Sequence, residues 1–264
     1  MSSEPPKNPI SVCVLTKNNE QLIRECLSRL AGFEEILVLD TGSTDQTLEI
    51  VASFPNARLF HQDGIRHFGE TRDFITSKAK NDWILHIDSD EFVSPELKGE
   101  IESMTLDPNT VYEIYRRTFY RGKALPAFND RIRRFYNKNS TGWSPRAVHE
   151  VVEVRNGMTV GRLKSPVEHH SYHSVKQLVQ KAQLYSSMYA DQFHTTRKAG
   201  AWVGVFHGLW SFFRFYFLKG NILYGYEGFI TSTVFSFMSF LKYVKVLECN
   251  QDEKKKTKSH ENDF

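Results

Sequence analysis

Three acidic side chains follow directly on an apolar segment in the stretch WILHIDSDEF, residues 83–92. Asp88, Asp90 and Glu91 come immediately after residue types that favour a buried strand. Carboxylates two residues apart on a rigid strand end repel each other unless a positive charge lies nearby. Mg²⁺ or Mn²⁺ relieves such repulsion and completes its coordination with water and with phosphate oxygens of a substrate. The stretch therefore predicts a divalent metal and a phosphate-bearing ligand, such as a nucleoside diphosphate.

A structural alternative exists for the same acids, because Ser94 and Pro95 behind them suit a helix cap and first turn. The position of the acids at a strand end favours the metal site. A metal alone does not balance a diphosphate, and Arg72 in HFGETRDFITSKA offers the guanidinium group that pairs best with phosphate oxygens. The alternative for Arg72 is a side chain that faces solvent.

The elements that must position these groups alternate between strands and helices. The predicted strands are 10–16, 34–40, 57–63 and 83–88, and amphipathic helices are predicted between them, the third at 69–80. Strands of nearly unbroken hydrophobicity in such an order indicate an α/β domain with a parallel sheet covered on both faces. After Pro95 the short alternating segments predict an antiparallel or mixed edge.

Polar residues occur at three of the predicted strand ends. They are Thr16, Lys17 and Asn18 after the first strand, Asp40 after the second, and Asp88, Ser89, Asp90 and Glu91 after the fourth. Ligands of open α/β sheets bind at the carboxyl ends of the strands. We therefore expect one site there, with ordinary turn chemistry as the alternative.

Four segments together resemble a known family. VLTKNNE, VLDTGSTD, FGETRDF and WILHIDSDE, in this order and spacing, are similar to the inverting glycosyltransferases of family two. The later stretches WSPRAVHE and YFLKGNILYGYEGF resemble bacterial enzymes that add sugars to lipopolysaccharide core or related glycoconjugates. The resemblance covers residues 10–245. It implies a GT-A fold and metal-dependent transfer from a nucleotide sugar, a UDP-hexose, to a saccharide or glycolipid acceptor.

The resemblance also implies roles for individual residues. Thr16, Asn18 and Ser89 would line the nucleotide pocket, Asp40 would accept the uracil NH, Arg72 would contact the diphosphate, Asp88 would lie at the ribose or metal, and Asp90 would bind Mg²⁺ or Mn²⁺. Two positions depart from the family pattern. Asp73 stands where many relatives have Asn, and residues 221–225 read Asn-Ile-Leu-Tyr-Gly instead of Gly-Phe-Leu-Asp-Gly. The second departure bears on the acceptor.

An inverting transfer needs a base that takes the proton from the acceptor hydroxyl. Glu150 is the candidate, with His149 either orienting it or coordinating the metal, and with Trp143 and Arg146 before them. Glu91 is the rival base, although its place beside the acids suggests a supporting role. The plain alternative is a histidine on a strand edge next to a surface glutamate.

The C-terminal part is basic and aromatic. The whole chain has 34 Lys and Arg against 31 Asp and Glu, a net charge of +3, which excludes nucleic acid as the main partner. Residues 171–248, however, hold eight basic and three acidic residues. The apolar stretches 201–220 and 229–247 suggest interfacial helices on an anionic inner leaflet, so we expect a cytoplasmic protein peripheral to the inner membrane. Packing against the catalytic domain or in a homo-oligomer is the alternative.

The predicted organisation is a flexible lead-in at 1–9, a catalytic domain at 10–170, a membrane-associating or dimerising helical extension at 171–248 and a disordered charged tail at 249–264. A Rossmann methyltransferase or dehydrogenase and a sugar-nucleotide pyrophosphorylase are disfavoured, because TKNNEQL has no glycine. A catalytically silent GT-A-like module that binds carbohydrate or serves as a scaffold remains the non-enzyme alternative. The sugar, the linkage, the acceptor and the preferred metal stay open.

Overall fold

The computed structural model describes residues 8–62, 68–144, 150–197 and 200–261, with side chains described to Glu253 and none described for Ser171. The chain divides into two compact units. Unit 1 comprises Met1–Thr118 and Asn129–Ser171, and unit 2 comprises Phe119–Phe128 and Tyr172–Phe264. Unit 1 ends at Ser171, one residue beyond the predicted end of the catalytic domain at residue 170. The segment 119–128, which was predicted to belong to the catalytic domain, groups with the helical extension.

One sheet contains the nine strands of the described residues. They are β1 (Ile10–Thr16), β2 (Glu35–Asp40), β3 (Ala57–His61), β4 (Trp83–Asp88), β5 (Glu91–Val93), β6 (Thr110–Tyr120), β7 (Lys123–Ala124), β8 (Asp130–Asn137) and β9 (Thr159–Tyr172). Their order is β3-β2-β1-β4-β8-β6-β9-β5, and β7 pairs with the end of β6. The first four strands are parallel, whereas β8 joins β4 in antiparallel orientation. The predicted parallel centre and antiparallel edge are both present.

Helices cover the two faces of the unit 1 sheet. They are α1 (Ile23–Arg29), α2 (Thr47–Ala52), α3 (Phe68–Thr76) and α4 (Pro95–Ser103). One apolar cluster joins Val12 and Val14 of β1 to Leu27 of α1 and Leu97 of α4. The other joins Cys13, on the opposite face of β1, to α3 and to β2. Residues of β1 thus pack into two cores, one on each face of the sheet, which explains why the strand is apolar except at Ser11 and Thr16.

A β-bulge interrupts the pairing of β6 with β8. Tyr112 lies opposite Phe135, but the next residue, Glu113, lies opposite Arg133, so Arg134 is an extra residue on β8. A bulge bends its strand and redirects the side chain of the extra residue. Arg134 is consequently buried at 9% exposure, although its neighbours Arg131 and Arg133 reach the periphery of the unit.

Unit 2 is mainly helical. It contains α5 (Val175–Phe193), α6 (Ala201–Phe213), a π turn (Arg214–Leu218), a 3-10 turn (Asn221–Tyr224) and α7 (Gly225–Glu261). Its core includes Tyr120 and Leu125 from the segment 119–128 together with Leu178 of α5. Asn221 is fully buried and donates to Ser232 Oγ at 3.0 Å, so the residue that departs from the family pattern fixes the start of α7.

Helices α6 and α7 approach closely through small residues. A Cβ at Gly204 would lie 3.1 Å from the carbonyl oxygen of Phe240, and one at Gly208 would lie 3.3 Å from the Phe240 Cβ. Ser236 Oγ donates to the Gly208 carbonyl at 2.7 Å, and Ser239 Oγ donates to Ser211 Oγ at 3.1 Å. Small residues at four-residue spacing let two helix backbones come this near.

Two features of the tail differ from the expectation. The apolar run 201–220 is two elements, because α6 ends at Phe213 and Gly220, with φ +75°, follows the π turn. Residues 249–261, predicted to be disordered, continue α7 to Glu261. Extending an existing helix adds a hydrogen bond for each residue fixed, so a polar Lys- and Glu-rich segment follows a helix already anchored by packing. Within the described residues, the helical stretch Asn221–Glu253, which joins the 3-10 turn to most of α7, is long and apolar enough to cross a membrane by length and composition alone.

Candidate active site

Hydrogen bonds join the carboxyl ends of three parallel strands. In the sheet register Thr16 lies opposite Asp40, and Leu15 lies opposite Asp88. The Thr41 amide donates to the Thr16 carbonyl at 3.1 Å, and the Ser89 amide donates to the Leu15 carbonyl at 3.0 Å. The structure therefore brings the polar ends of β1, β2 and β4 together.

Asn18 and Asn19 connect the loop after β1 to its two neighbours. Asn18, with φ +47°, accepts the Thr44 amide on Oδ1 at 2.7 Å. Asn19 Nδ2 donates to Ser89 Oγ at 2.8 Å. A side-chain amide tolerates the left-handed backbone conformation better than most residues. The two asparagines hold the loop across the strand ends, and Thr16 keeps a buried hydroxyl without a hydrogen-bond partner among the described residues.

Asp40 is buried and organises the turn after β2. Its carboxylate accepts the amides of Gly42 and Ser43, each at 3.0 Å, and His61 Nδ1 lies 3.6 Å away. Gly42 has φ +99°, a conformation that favours glycine. The turn thereby directs a fixed carboxylate and a short polar loop to the same edge as β1 and β4.

Asp88 lies between two arginines. Arg72 Nη2 donates to Oδ1 at 2.7 Å, and Arg134 Nη2 lies 2.8 Å from Oδ2. Burial alone would raise the pKa of Asp88, but the charges of Arg134 and Arg72 hold the pKa well below its ordinary value. Asp88 is therefore ionised, and each of its oxygens has an arginine partner.

Glu91 is the innermost acid of the cluster. It is fully buried, accepts the Asp88 amide at 3.0 Å, and lies 3.3 Å from both Arg116 Nη1 and Arg134 Nη1. A base must reach the acceptor hydroxyl, and a fully buried carboxylate with these partners does not. This geometry disfavours Glu91 as the rival base.

Asp90 is the acid of the stretch that faces a different partner. Its Oδ2 lies 3.6 Å from His169 Nε2, and the backbone pairing of β5 with β9 places Glu91 opposite His169. A carboxylate and an imidazole are suitable ligands for Mn²⁺, and phosphate oxygens and water supply the remaining positions. Within the described residues, no three His, Cys, Asp or Glu side chains cluster as a ready metal cage. The residues present fit a metal held partly by its substrate.

Arg72 is only 3% exposed. Its guanidinium stacks on Trp143 at 4.9 Å from the ring centroid, and its Nη1 has no hydrogen-bond partner within the described ranges. His86, on the strand β4 that ends at Asp88, has its Nε2 atom 2.9 Å from Thr76 Oγ1. Burial lowers the pKa of His86, and the charges of Arg72 and Arg134 lower that pKa further, so the imidazole is neutral. The arginine is rigidly placed and keeps unused donors.

Glu150 lies beside this arginine. Its Oε1 is 3.8 Å from Arg72 Nε, and its side chain is 17% exposed. Val152, two residues after Glu150, forms an isolated β-bridge with Trp143, and Asp73 Oδ1 accepts the Trp143 amide at 3.2 Å. Asp73, the other departure from the family pattern, thus fixes the backbone at Trp143. The predicted partner and third metal ligand His149, like Arg146, lies outside the described residues.

Comparisons with known sequences identify the family of the chain. Residues 11–157 match the profile of "Glycosyl transferase family 2". An uncharacterised glycosyltransferase of Rickettsia bellii is 30% identical over 91% of this chain and 88% of its own length.

The chain belongs to glycosyl transferase family 2.

It is therefore a glycosyltransferase with a GT-A-type α/β fold and a C-terminal helical unit, as the sequence predicted. The lipopolysaccharide core biosynthesis glycosyltransferase LpsC of Rhizobium meliloti is 24% identical over 92% of this chain and 93% of the relative. Among solved structures, Staphylococcus aureus TarS 1–349 with UDP-GlcNAc has 15% identity and a TM-score of 0.47, over 88% of this chain and 91% of that one. Mannosyltransferase PcManGT of Pyrobaculum calidifontis, solved with GDP-Man and Mn²⁺, has 13% identity and a TM-score of 0.49, over 90% and 87%.

Four residues of this family 2 glycosyltransferase site were not predicted from the sequence. They are Asn19, Arg116, Arg134 and His169. Asn19 adjoins a predicted site residue and could have been included. The arginines lie in alternating segments where a surface position is the usual expectation, and His169 depends on the pairing of β9 with β5, which no local pattern reveals.

Proposed function

We propose that this glycosyltransferase moves a hexose from UDP to a saccharide or glycolipid acceptor with inversion at the anomeric carbon. The observation that carries the proposal is the junction of three strand ends, where Asp40, the Asp88–Arg72 pair and Asp90 meet at one edge of the sheet. Asp40 and the loop with Thr16 and Asn18 would receive the nucleoside. Ser89 would support that loop through Asn19.

Arg72 and Asp90 would act at the diphosphate. Asp90, with His169 facing it, would hold Mg²⁺ or Mn²⁺, which when bound neutralises the departing diphosphate. Asp88 would position Arg72 and Arg134 and would not bind the metal, because both of its carboxylate oxygens already have arginine partners. Arg72 keeps donors that suit phosphate oxygens.

Glu150 would be the general base. Its carboxylate lies next to Arg72 and is partly exposed, so a hydroxyl arriving from solvent can reach it near the diphosphate. It would take the proton from the acceptor hydroxyl as that oxygen attacks the anomeric carbon. His149 remains a proposed helper for this step.

The acceptor we propose is lipopolysaccharide core or a related lipid-linked saccharide, at the cytoplasmic face of the inner membrane. Support comes from the name of the relative LpsC and from the aromatic face of α6. Trp202, Phe206, Leu209 and Phe213 are all exposed and recur at helical spacing, with Trp202 at 85% exposure. Such a face is typical of helices that lie in a membrane interface.

The test compares binding with turnover. Calorimetry should show UDP binding that Mn²⁺ strengthens in the wild type and in Glu150→Gln, but not in Asp90→Asn. Release of UDP from a panel of nucleotide sugars, with core oligosaccharide as acceptor, should fall about 10²- to 10⁴-fold in Glu150→Gln. Glu153→Gln is the matched control, because Glu153 bonds Gly142 and Thr141 through its backbone. Near wild-type turnover in Glu150→Gln would refute the base assignment.

A further inference from the structure

A cavity of about 310 Å³ lies within unit 2, among α5, α6, the π turn and α7. Small-molecule sites typically range from about 300 to 1,000 Å³, whereas one water occupies about 30 Å³. Aromatic rings form much of its wall, among them Tyr189, Trp210, Phe215 and Tyr243. The cavity is large enough for a small head group with the first part of an apolar chain.

Two basic side chains belong to the wall of this cavity. Arg214 and Lys242 both line it, and the described lining residues include no aspartate or glutamate. Lys242 Nζ lies 5.1 Å from the centroid of the Tyr189 ring, and burial lowers the pKa of this lysine. A half-buried ammonium group without a carboxylate beside it is stabilised by an anion that enters the cavity.

The backbone at Arg214 is itself unusual. Arg214 begins the π turn, in which the Lys219 amide donates to the Arg214 carbonyl at 2.8 Å. Single π turns within helices occur frequently at functional sites. Here the turn follows α6 directly, so Arg214 comes immediately after Phe213, the last residue of the exposed aromatic face of that helix.

Trp210 connects the cavity with the outside. It lines the cavity and is also 51% exposed, next to Leu209 and Phe213 on the surface of α6. An apolar chain leaving the cavity past Trp210 would meet further apolar side chains. An anionic group inside and an apolar surface outside match the two ends of an amphiphile.

We propose that this cavity binds the phosphate group of a lipid, with Arg214 and Lys242 as its cationic partners and the α6 face as the path of the lipid chain. The inference deepens the proposed function, on which it rests for the role of the bound lipid as acceptor carrier or membrane anchor. A free phosphate ion shares the chemistry of the head group, but it has no apolar chain that could pack against Trp210 and the α6 face.

The test uses the full chain and calorimetry with octyl phosphate below its micelle concentration, with octanol and inorganic phosphate as the two half-ligands. We expect saturable one-to-one binding of octyl phosphate that exceeds both half-ligands at least tenfold. Lys242→Gln should weaken it about tenfold or more, as expected for loss of a charge-assisted hydrogen bond. Lys242→Arg should retain binding.

Lys176→Gln is the matched control, because it removes the same charge from an exposed position of α5 outside the cavity. Octanol or inorganic phosphate binding as tightly as octyl phosphate would overturn the proposal, as would equal losses in Lys242→Gln and Lys176→Gln. UDP titrations with Mn²⁺ on the same variants separate the two proposals, because Lys242→Gln should leave nucleotide binding unchanged whether or not the nucleotide assignment is right.

Discussion

Replacing Arg134 by Gln should destabilise unit 1 far more than the same change at its neighbour Arg133. Arg134 faces Asp88 at 2.8 Å and the fully buried Glu91 at 3.3 Å. Removing one partner of a buried ion pair costs about 3–5 kcal/mol. Because Asp88 keeps Arg72 and Glu91 keeps Arg116, we expect the lower end, about 3 kcal/mol.

The control is well matched. Arg133 lies on the same strand and pairs with Glu113 at 3.3 Å, but its side chain is 35% exposed. Such surface pairs contribute about 0–1 kcal/mol. For a domain of this size 1 kcal/mol shifts Tm by about 2–4 °C, so Arg134→Gln should lower Tm by about 6–12 °C and Arg133→Gln by less than about 4 °C.

Thermal unfolding followed by circular dichroism at low and high NaCl measures both effects. Salt screens exposed charges strongly and buried ones weakly. The loss in Arg134→Gln should therefore persist at high salt, whereas any loss in Arg133→Gln should shrink. Equal Tm values for the two variants would refute the conclusion that the bulge delivers Arg134 into a buried charge cluster.

Three further outcomes follow from the structure. The pKa of Asp88 is lower in the folded protein than in the unfolded chain, where it is about 3.9. The ionised carboxylate therefore stabilises the fold above about pH 4, and this stabilisation is lost as the pH falls below that value. In unfolding experiments at decreasing pH, Asp88→Asn should lose stability less steeply than the wild type. Gly228→Ala should destabilise unit 2 by at least about 1–3 kcal/mol in urea unfolding, because its Cβ would lie 2.0 Å from the Asn221 carbonyl oxygen. Gly99→Ala, at an exposed position of helix α4 where a Cβ meets nothing, should instead stabilise by about 0.5–1 kcal/mol. A thiol reagent should label Cys249 in the native protein but reach Cys13 and Cys26 only after denaturation. Burial shields these two thiols and raises the pKa of each. Rapid labelling of all three cysteines in the native protein would contradict this expectation.

The first four strands and the convergence of their ends could be predicted from the sequence. β1, β2 and β4 are mostly apolar because their residues pack into a core on each face of the sheet, whereas the edge strand β3 is only partly buried. Parallel strands place their carboxyl ends at one edge. The sequence therefore predicts that Asp40 and Asp88 share one edge, whereas Arg72, on α3, is a candidate by its chemistry and its pairing with Asp88 is seen only in the structure.

Arg134 and His169 could not be predicted in this way. The bulge breaks the two-residue alternation that assigns side chains to faces, so Arg134 reads as a surface residue. His169 reaches Asp90 through a pairing between strands far apart in sequence. The role proposed for Asp88 differs from the predicted one for the same reason, because the sequence pattern does not reveal its partner Arg134.

The segment 119–128 has a consequence for the order in which the protein can fold during synthesis. Its apolar residues Tyr120 and Leu125 pack with Leu178 of α5 and with side chains of α7, which the ribosome makes much later. Unit 1 is complete in sequence once β9 has been made. The segment must therefore stay uncovered while α5 to α7 emerge, and for that interval it is the part of the nascent chain most open to a chaperone or to aggregation.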